Sequence, residues 1–515
     1  MKIVIFRKIV VVCVLGAFLA SLFCPLPSMA SESNAPFHPA LFPEELSLIS
    51  VPPEMARIDR VWRGEKDRTV ILIQDAHAVP DAQRNIRRIL DYLQRRCGVT
   101  LTAVEGSAGE MDPHFLRNFP DKKVLENVLA GYFERGELTG PTAAAILNEI
   151  PGRTIGVEDW PLYEKGYGFS LEALERRNAL SARIRSLEDR LQRRKQESYS
   201  PELLEADRLI ASRENEGADF GEILIALAAY QRPARGSKLE IFLETIEKSL
   251  LDNVLLEREL LRIARRMREA LERQLANSGS GREQLLSELE QKLQALSTSN
   301  LEAGPFAAYL RGLAARVRAP VKVSARLDRL ANNHETLENL KGTAFFREFE
   351  SYADAIKEKL FLSEEDRRLN DKSRHLDLLK RLVDLELSFE DWEQLREQSG
   401  AINEDSQTSD LFAPHLAFYR NAEERDGVFY RNLVKQMDRS GRRTAAIVTG
   451  GFHTDGLVRQ FEEAGISYVV LVPVIGSIPQ DDRYREQMRG NVSWKNYYHA
   501  KNGRVSPYQA FARSV

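Results

Sequence analysis

The segment TVILIQDAHAVPDAQRNIRRIL, Thr69–Leu90, changes character at its middle. Thr69–Gln74 is aliphatic and β-branched, the composition of a strand covered on both faces. Gln74-Asp75-Ala76-His77 then interrupts the apolar run, and Ile86, Ile89, Leu90 and Leu93 return at helical spacing. Leu101–Val104 (LTAV) is apolar again, which completes a strand, a helix and a strand. Thr154–Val157 (TIGV) reads as a third strand. Near the other end, TAAIVTGGFHTDGLVRQF (Thr444–Phe461) repeats the pattern: a strand over Ala445–Thr449, then Gly450-Gly451-Phe452-His453 and Asp455, then Leu457, Val458 and Phe461 on a helix, with a further strand at Tyr468–Val472. Helical crossovers join parallel neighbours, so both ends are expected in one mainly parallel sheet of an α/β core.

Between about Leu171 and Leu395 strand-like runs disappear. Leu180, Ile184, Leu187 and Leu191 follow four-three-four spacing; Leu260, Ala264, Met267, Leu271 and Leu275 continue similarly up to NSGSG (Asn277–Gly281), after which Leu285, Leu289, Leu293 and Leu296 resume a three- and four-residue spacing. The spacing predicts a large all-helical, coiled-coil-like insertion with a hairpin at the glycine-serine break. Such stripes are ordinarily packing seams, and the Arg/Glu faces between them solvated surface.

The amino terminus reads as an export signal. Lys2, Arg7 and Lys8 precede the uncharged run Ile9–Phe23, and Pro25, Pro27 and Ser28-Met29-Ala30 follow it. The run is about fifteen residues, short of the roughly 20 of a spanning helix, so cleavage near Ala30 is favoured over an uncleaved membrane anchor. Residues around Cys24 do not suit a lipid-modified cysteine. The expected divisions are signal 1–30, first part of the core 31–165, helical insertion 166–408, second part of the core 409–475 and C-terminal extension 476–515. The mature chain is expected in the periplasm or outside the cell, with no integral membrane span. Loss of Cys13 and Cys24 leaves Cys97 alone, so no internal disulfide is expected. The formal net charge is -3, and the signal carries three positive and no negative charges, so the mature chain is more acidic still. That balance disfavours nucleic acid as a partner.

Ligands of parallel α/β sheets sit beyond the carboxyl ends of the strands. Asp75 and His77 follow the first strand, Glu105 the second, Glu158 and Asp159 the third, and His453 with Asp455 the fourth. Two imidazoles and several carboxylates on one rim suit either a two-histidine, one-carboxylate metal site or a metal-free general-base site, and the residues alone leave both open. Of the eight histidines, His334 has no second histidine four residues on, His114, His375 and His415 lie in helical or loop context, and His38 and His499 are near the ends. There is no glycine-rich phosphate loop, paired-cysteine metal site or G-x-S-x-G elbow. Gly450-Gly451 serves either close backbone approach to a ligand or a tight turn.

Gly450 to His453, Glu105, and Arg425-Asp426 within NAEERDGVFYRNL (Asn421–Leu433) resemble the superfamily that contains the ChaN haem-uptake proteins, the Tiki and TraB proteins and the erythromycin esterases. That superfamily carries a GxxH-type motif in each half. Here the first motif departs, with Gln74-Asp75-Ala76-His77 where Gly-Glu-x-His is the pattern. The resemblance covers roughly Arg68–Tyr163 and His415–Pro473. Its members include metal-dependent peptidases, esterases with a histidine base, and haem binders, so membership leaves activity open. The expected site has His77, Glu105 and His453 at its centre, also as metal ligands, and Glu158 as a second catalytic carboxylate. Asp75, Arg425, Asp426, Gly450 and Gly451 support it. The expected activity is a metal-assisted hydrolysis of a peptide or ester bond in a small-molecule or peptide substrate. Two alternatives stand beside it: a ChaN-like protein that binds haem or a metal without catalysis, and an interaction protein that recruits a protein partner through the helical insertion.

Overall fold

Residues 66–75 form a strand whose buried run, Thr69–Asp75, has at its centre Val70–Ile73, apolar side chains offered to the two faces in alternation. The computed structural model describes residues 51–52, 55–150, 152–213, 219–252, 257–275, 281–297, 303–317, 325–340, 343–397, 406–475, 487, 492–493, 511–512 and 514–515. The signal segment, Cys24, His38, His499, the break at 276–280 and most of the C-terminal extension lie outside the described residues, as does the His334 side chain. Among the described residues no helix is long and apolar enough to cross a membrane.

Seven strands make one sheet: β1 (Ala56–Trp62), β2 (Lys66–Asp75), β3 (Leu101–Val104), β4 (Ala108–Met111), β5 (Arg153–Val157), β6 (Thr444–Gly450) and β7 (Ile466–Pro473), in the order β1-β7-β2-β6-β3-β5-β4. The five inner strands are parallel, and only the edges β1 and β4 run antiparallel to their neighbours. The architecture is therefore α/β, with a mixed and largely parallel sheet. Strands from the two ends of the chain lie side by side: β6 is inserted between β2 and β3, with Asp75 opposite Gly450 and Val104 opposite Val448.

The chain divides into two compact units. In the sheet unit, Val70, Leu72, Ala445, Ile447, Tyr468 and Val470 pack with Phe429, Leu433, Leu457 and Phe461 of the helices Ser406–Ser440 and His453–Glu463. On the opposite face Ile71, Ile73, Ala446, Val448, Val469 and Leu471 pack with Ile86, Ile89, Leu90 and Leu93 of the helix Pro80–Cys97. Each fully buried aliphatic side chain in such a layer contributes about 1.5–3 kcal/mol relative to exposure. The second unit, Gln196–Arg367 among the described residues, is all helix. It has two cores of its own, one around Leu260, Met267, Leu289, Phe306 and Leu310, the other around Leu224, Phe242, Leu243, Phe345 and Phe349. The division falls at Lys195 and Arg368, so the helix Trp160–Ser198 up to Lys195 and the helix Glu364–Asp384 from Arg368 belong to the sheet unit.

Candidate functional site

Parallel pairing in register brings the carboxyl ends of β2, β6, β3 and β5 to one rim, and each carries a polar side chain there. Glu105 anchors to the rim first: its backbone N–H donates to the Val448 carbonyl at 3.1 Å. Its Oε2 accepts the Gly450 N–H at 2.7 Å, and its Oε1 accepts from Arg425 at 2.8 Å. The His453 Nε2 lies 3.3 Å from the same Oε1. His453 is the first residue of its helix, and its Nδ1 is 2.6 Å from the Asp426 Oδ1. Arg425 and Asp426 stand next to each other on the helix Ser406–Ser440, so one turn of that helix supplies both a cation to Glu105 and an anion to His453. Glu158 completes the arrangement by accepting from Arg425 at 2.5 and 3.2 Å and from the Gly106 N–H at 3.0 Å.

His77 repeats the device. Its Nδ1 lies 2.8 Å from Asp75 Oδ2, and Asp75 Oδ1 accepts from Gln83 Nε2 at 2.5 Å. The turn that carries the imidazole is tight: Ala78 holds φ at 59°, a left-handed conformation that costs a non-glycine residue about 1–2 kcal/mol. A Cβ built on Gly450 would lie 3.4 Å from His77 Nε2 and 3.5 Å from Glu105 Oε2, so both atoms border the hollow over that glycine. Neither Gly450 nor Gly451 has positive φ, so the room above Gly450 is what its lack of a side chain provides. Gly451 is exposed, and its carbonyl accepts the Thr454 N–H. The His77 side chain is 36% exposed, against 12% for Glu105, 9% for Arg425 and 5% for His453, so His77 is the member that faces solvent.

The charges are interlocked. Burial lowers the proton affinity of His77, but the Asp75 carboxylate outweighs it, with help from Glu105, and the pKa rises to about 9. His453 likewise overcomes its burial through Glu105 and Asp426 and rises to about 9. Burial works to raise Glu105, but His453, Arg425 and His77 hold it well below the usual carboxylate range. Burial dominates for Glu158 and for Asp426 and raises both, against the pull of Arg425 and His453 respectively. For Arg425, burial is outweighed by Glu105 and Glu158, and the guanidinium is held more firmly protonated.

His77, Glu105, His453, Glu158, Asp75, Arg425, Asp426 and Gly450 thus stand together. Asp455 does not join them; it pairs with Arg60 of β1 at 2.6 Å. The donor types suit a divalent cation, since both imidazoles are backed by a carboxylate through Nδ1. Their arrangement does not: Oε1 and Oε2 of Glu105 are taken by Arg425 and Gly450, and among the described residues no group of three His, Cys, Asp or Glu side chains is placed to hold a metal ion. Three contributors carry no sequence signal of chemistry. Gln83 donates to Asp75 and the Ala76 carbonyl and accepts from the Gly140 N–H. Gln74 donates to Thr454 at 3.1 Å. Gly456 leaves room for Asp426, whose Oδ2 would lie 2.0 Å from a Cβ there. Comparison with protein-family models, with curated proteins and with solved structures finds no match for the chain.

Proposed function

We propose that the protein is an exported hydrolase that cleaves a peptide or ester bond, with His77 as the group that meets the substrate. The observation that supports this reading is the pair of aspartate-backed imidazoles, Asp75–His77 and Asp426–His453, that flank Glu105. A buried carboxylate on Nδ1 fixes the ring and its tautomer and leaves Nε2 to exchange a proton. His77, the solvent-facing ring, takes the proton of the attacking water and returns it to the leaving group. His453 and Arg425 place positive charge where the carbonyl oxygen of the substrate becomes negative. Glu105 ties the two halves together through Gly450, and Glu158 holds Arg425.

The test is hydrolysis of p-nitrophenyl esters and of a peptide panel by the purified mature protein. His77→Ala is expected to lower kcat/KM by about 10²–10⁴-fold, the usual contribution of an acid-base group. The same samples with chelator, with added divalent ions and with hemin read the metal-assisted and haem-binding forms suggested by the resemblance. Hydrolysis that survives His77→Ala undiminished would sink the proposal. A Soret band that needs His77, without any hydrolysis, would replace it with the binding role.

A further inference from the structure

Directly beyond Glu158 the chain enters the helix Trp160–Ser198, whose first turn places two aromatic rings beside the site. Trp160 and Tyr163 stack with centroids 5.0 Å apart and planes 27° apart. The Arg425 guanidinium carbon lies 5.5 Å from the Tyr163 centroid and 5.2 Å from that of Phe429. That guanidinium also binds Glu105 and Glu158. One line of contacts therefore runs from the reacting groups through Arg425 and Tyr163 to Trp160. The indole Nε1–H donates to Glu164 Oε1 at 3.0 Å, one turn along the helix.

The aromatic neighbours of Arg425 differ in exposure. Phe429 is fully buried, as core packing requires, whereas Trp160 and Tyr163 remain half-buried at the surface. A stacked aromatic pair held by a hydrogen bond and a cation, and left partly open to water, is a preformed apolar platform. From Glu105 Oε1 the contacts run 2.8 Å to the Arg425 guanidinium and 5.5 Å from its carbon to the Tyr163 centroid, a path that about three extended residues or a medium-length acyl chain would span.

We propose that Trp160 and Tyr163 form a substrate subsite that takes an extended apolar group, so that the site prefers acyl or peptide chains with an apolar portion roughly three residues from the bond cut. The preference in turnover rests on the hydrolase reading; the binding itself does not. Wild type and Trp160→Ala are compared on p-nitrophenyl octanoate and p-nitrophenyl acetate, and octanamide is titrated while intrinsic tryptophan emission is followed, with Trp160→Phe as the variant that keeps a ring but loses the indole signal. The expected result is a wild-type preference for octanoate, an octanoate KM in Trp160→Ala raised about tenfold relative to that for acetate, in keeping with the loss of one or two methylenes' worth of burial, and an octanamide-dependent emission change that vanishes in Trp160→Phe. No octanoate preference together with no octanamide response in the wild type, or the same preference and response in both variants, overturns the subsite. An octanamide response without hydrolysis of either ester or of the peptide panel leaves the subsite standing and removes the hydrolase reading.

Discussion

Asp426 can reach His453 Nδ1 only because Gly456, one turn along the same helix, has no side chain. Gly456→Ala is expected to push the carboxylate away and to cost about 1–3 kcal/mol in denaturant unfolding, the usual range for overpacking. The His453 ring should then titrate nearer its ordinary value by NMR; an unshifted titration would show that Asp426 does not hold it. Gly450 is the opposite case, since a methyl there meets His77 Nε2 and Glu105 Oε2 at ordinary contact distance. Gly450→Ala should unfold within about 0.5 kcal/mol of wild type while losing most hydrolytic activity, and an active Gly450→Ala would place the reacting atoms elsewhere. The imidazoles also set a pH dependence. Both folded pKa values, about 9, lie above the ordinary value of 6.5. Their stabilisation is complete below about 6.5 and is lost as pH rises through about 9. For a His77 base the sign in catalysis is reversed: log kcat/KM should climb with pH and level off near 9. A profile that is flat from pH 6 to 9 would remove His77 from the base role.

At the scale of elements, Gln83 joins three segments that the site depends on: β2 through Asp75, the turn through Ala76, and the helix Gly140–Leu147 through the Gly140 N–H. Gln83→Leu keeps the volume but leaves these buried groups unpaired, at about 1–3 kcal/mol for each group that finds no water. Loss of stability together with a fall in the His77 pKa is expected, and NMR titration against unfolding curves separates the two; a His77 pKa still near 9 would show that Asp75 needs no such support. Nothing in the sequence marked Gln83, because an amide on an amphipathic helix looks like part of a solvated face. β2, β3, β5, β6 and β7 were legible as apolar runs covered on both faces. The edges were not: β1 (ARIDRVW) alternates charge with apolar residues, and β4 (AGEM) is exposed along most of its length. Strand-end His77, Glu105 and His453 could be placed from topology alone, since parallel strands carry their carboxyl ends to one rim. Which carboxylate would back which imidazole could not, because that depends on side-chain reach across β2, β6 and the helix Ser406–Ser440.

At the scale of the whole molecule, the leucine stripes told helix from strand but not which core each helix serves, so the helices before Lys195 and after Arg368 read as insertion although they belong to the sheet unit. Their pairing shows why. Arg177 meets Asp384, Glu188 meets Lys380, and Lys195 donates to Ser373 at 2.9 Å, so as one helix advances its partner recedes and the two run antiparallel. Lys195 is buried at this contact, which lies at the end of the first helix's share of the sheet unit and five residues into the second's, counted from Arg368. Antiparallel helices are ordinarily joined by a few residues, and loop-closure entropy grows only slowly with length, so a long excursion is not needed to close this pair. Among the described residues each unit has apolar clusters of its own. Replacing residues 196–367 by a short glycine-containing turn between Lys195 and Arg368 is therefore expected to leave a cooperatively unfolding sheet unit in which His77 and His453 still titrate near 9. Circular dichroism on heating and histidine NMR on the shortened chain measure both. A shortened chain that folds but whose histidines return to about 6.5 would mean that the site depends on the helical unit, and one that does not unfold cooperatively would mean that the two cores are not separate.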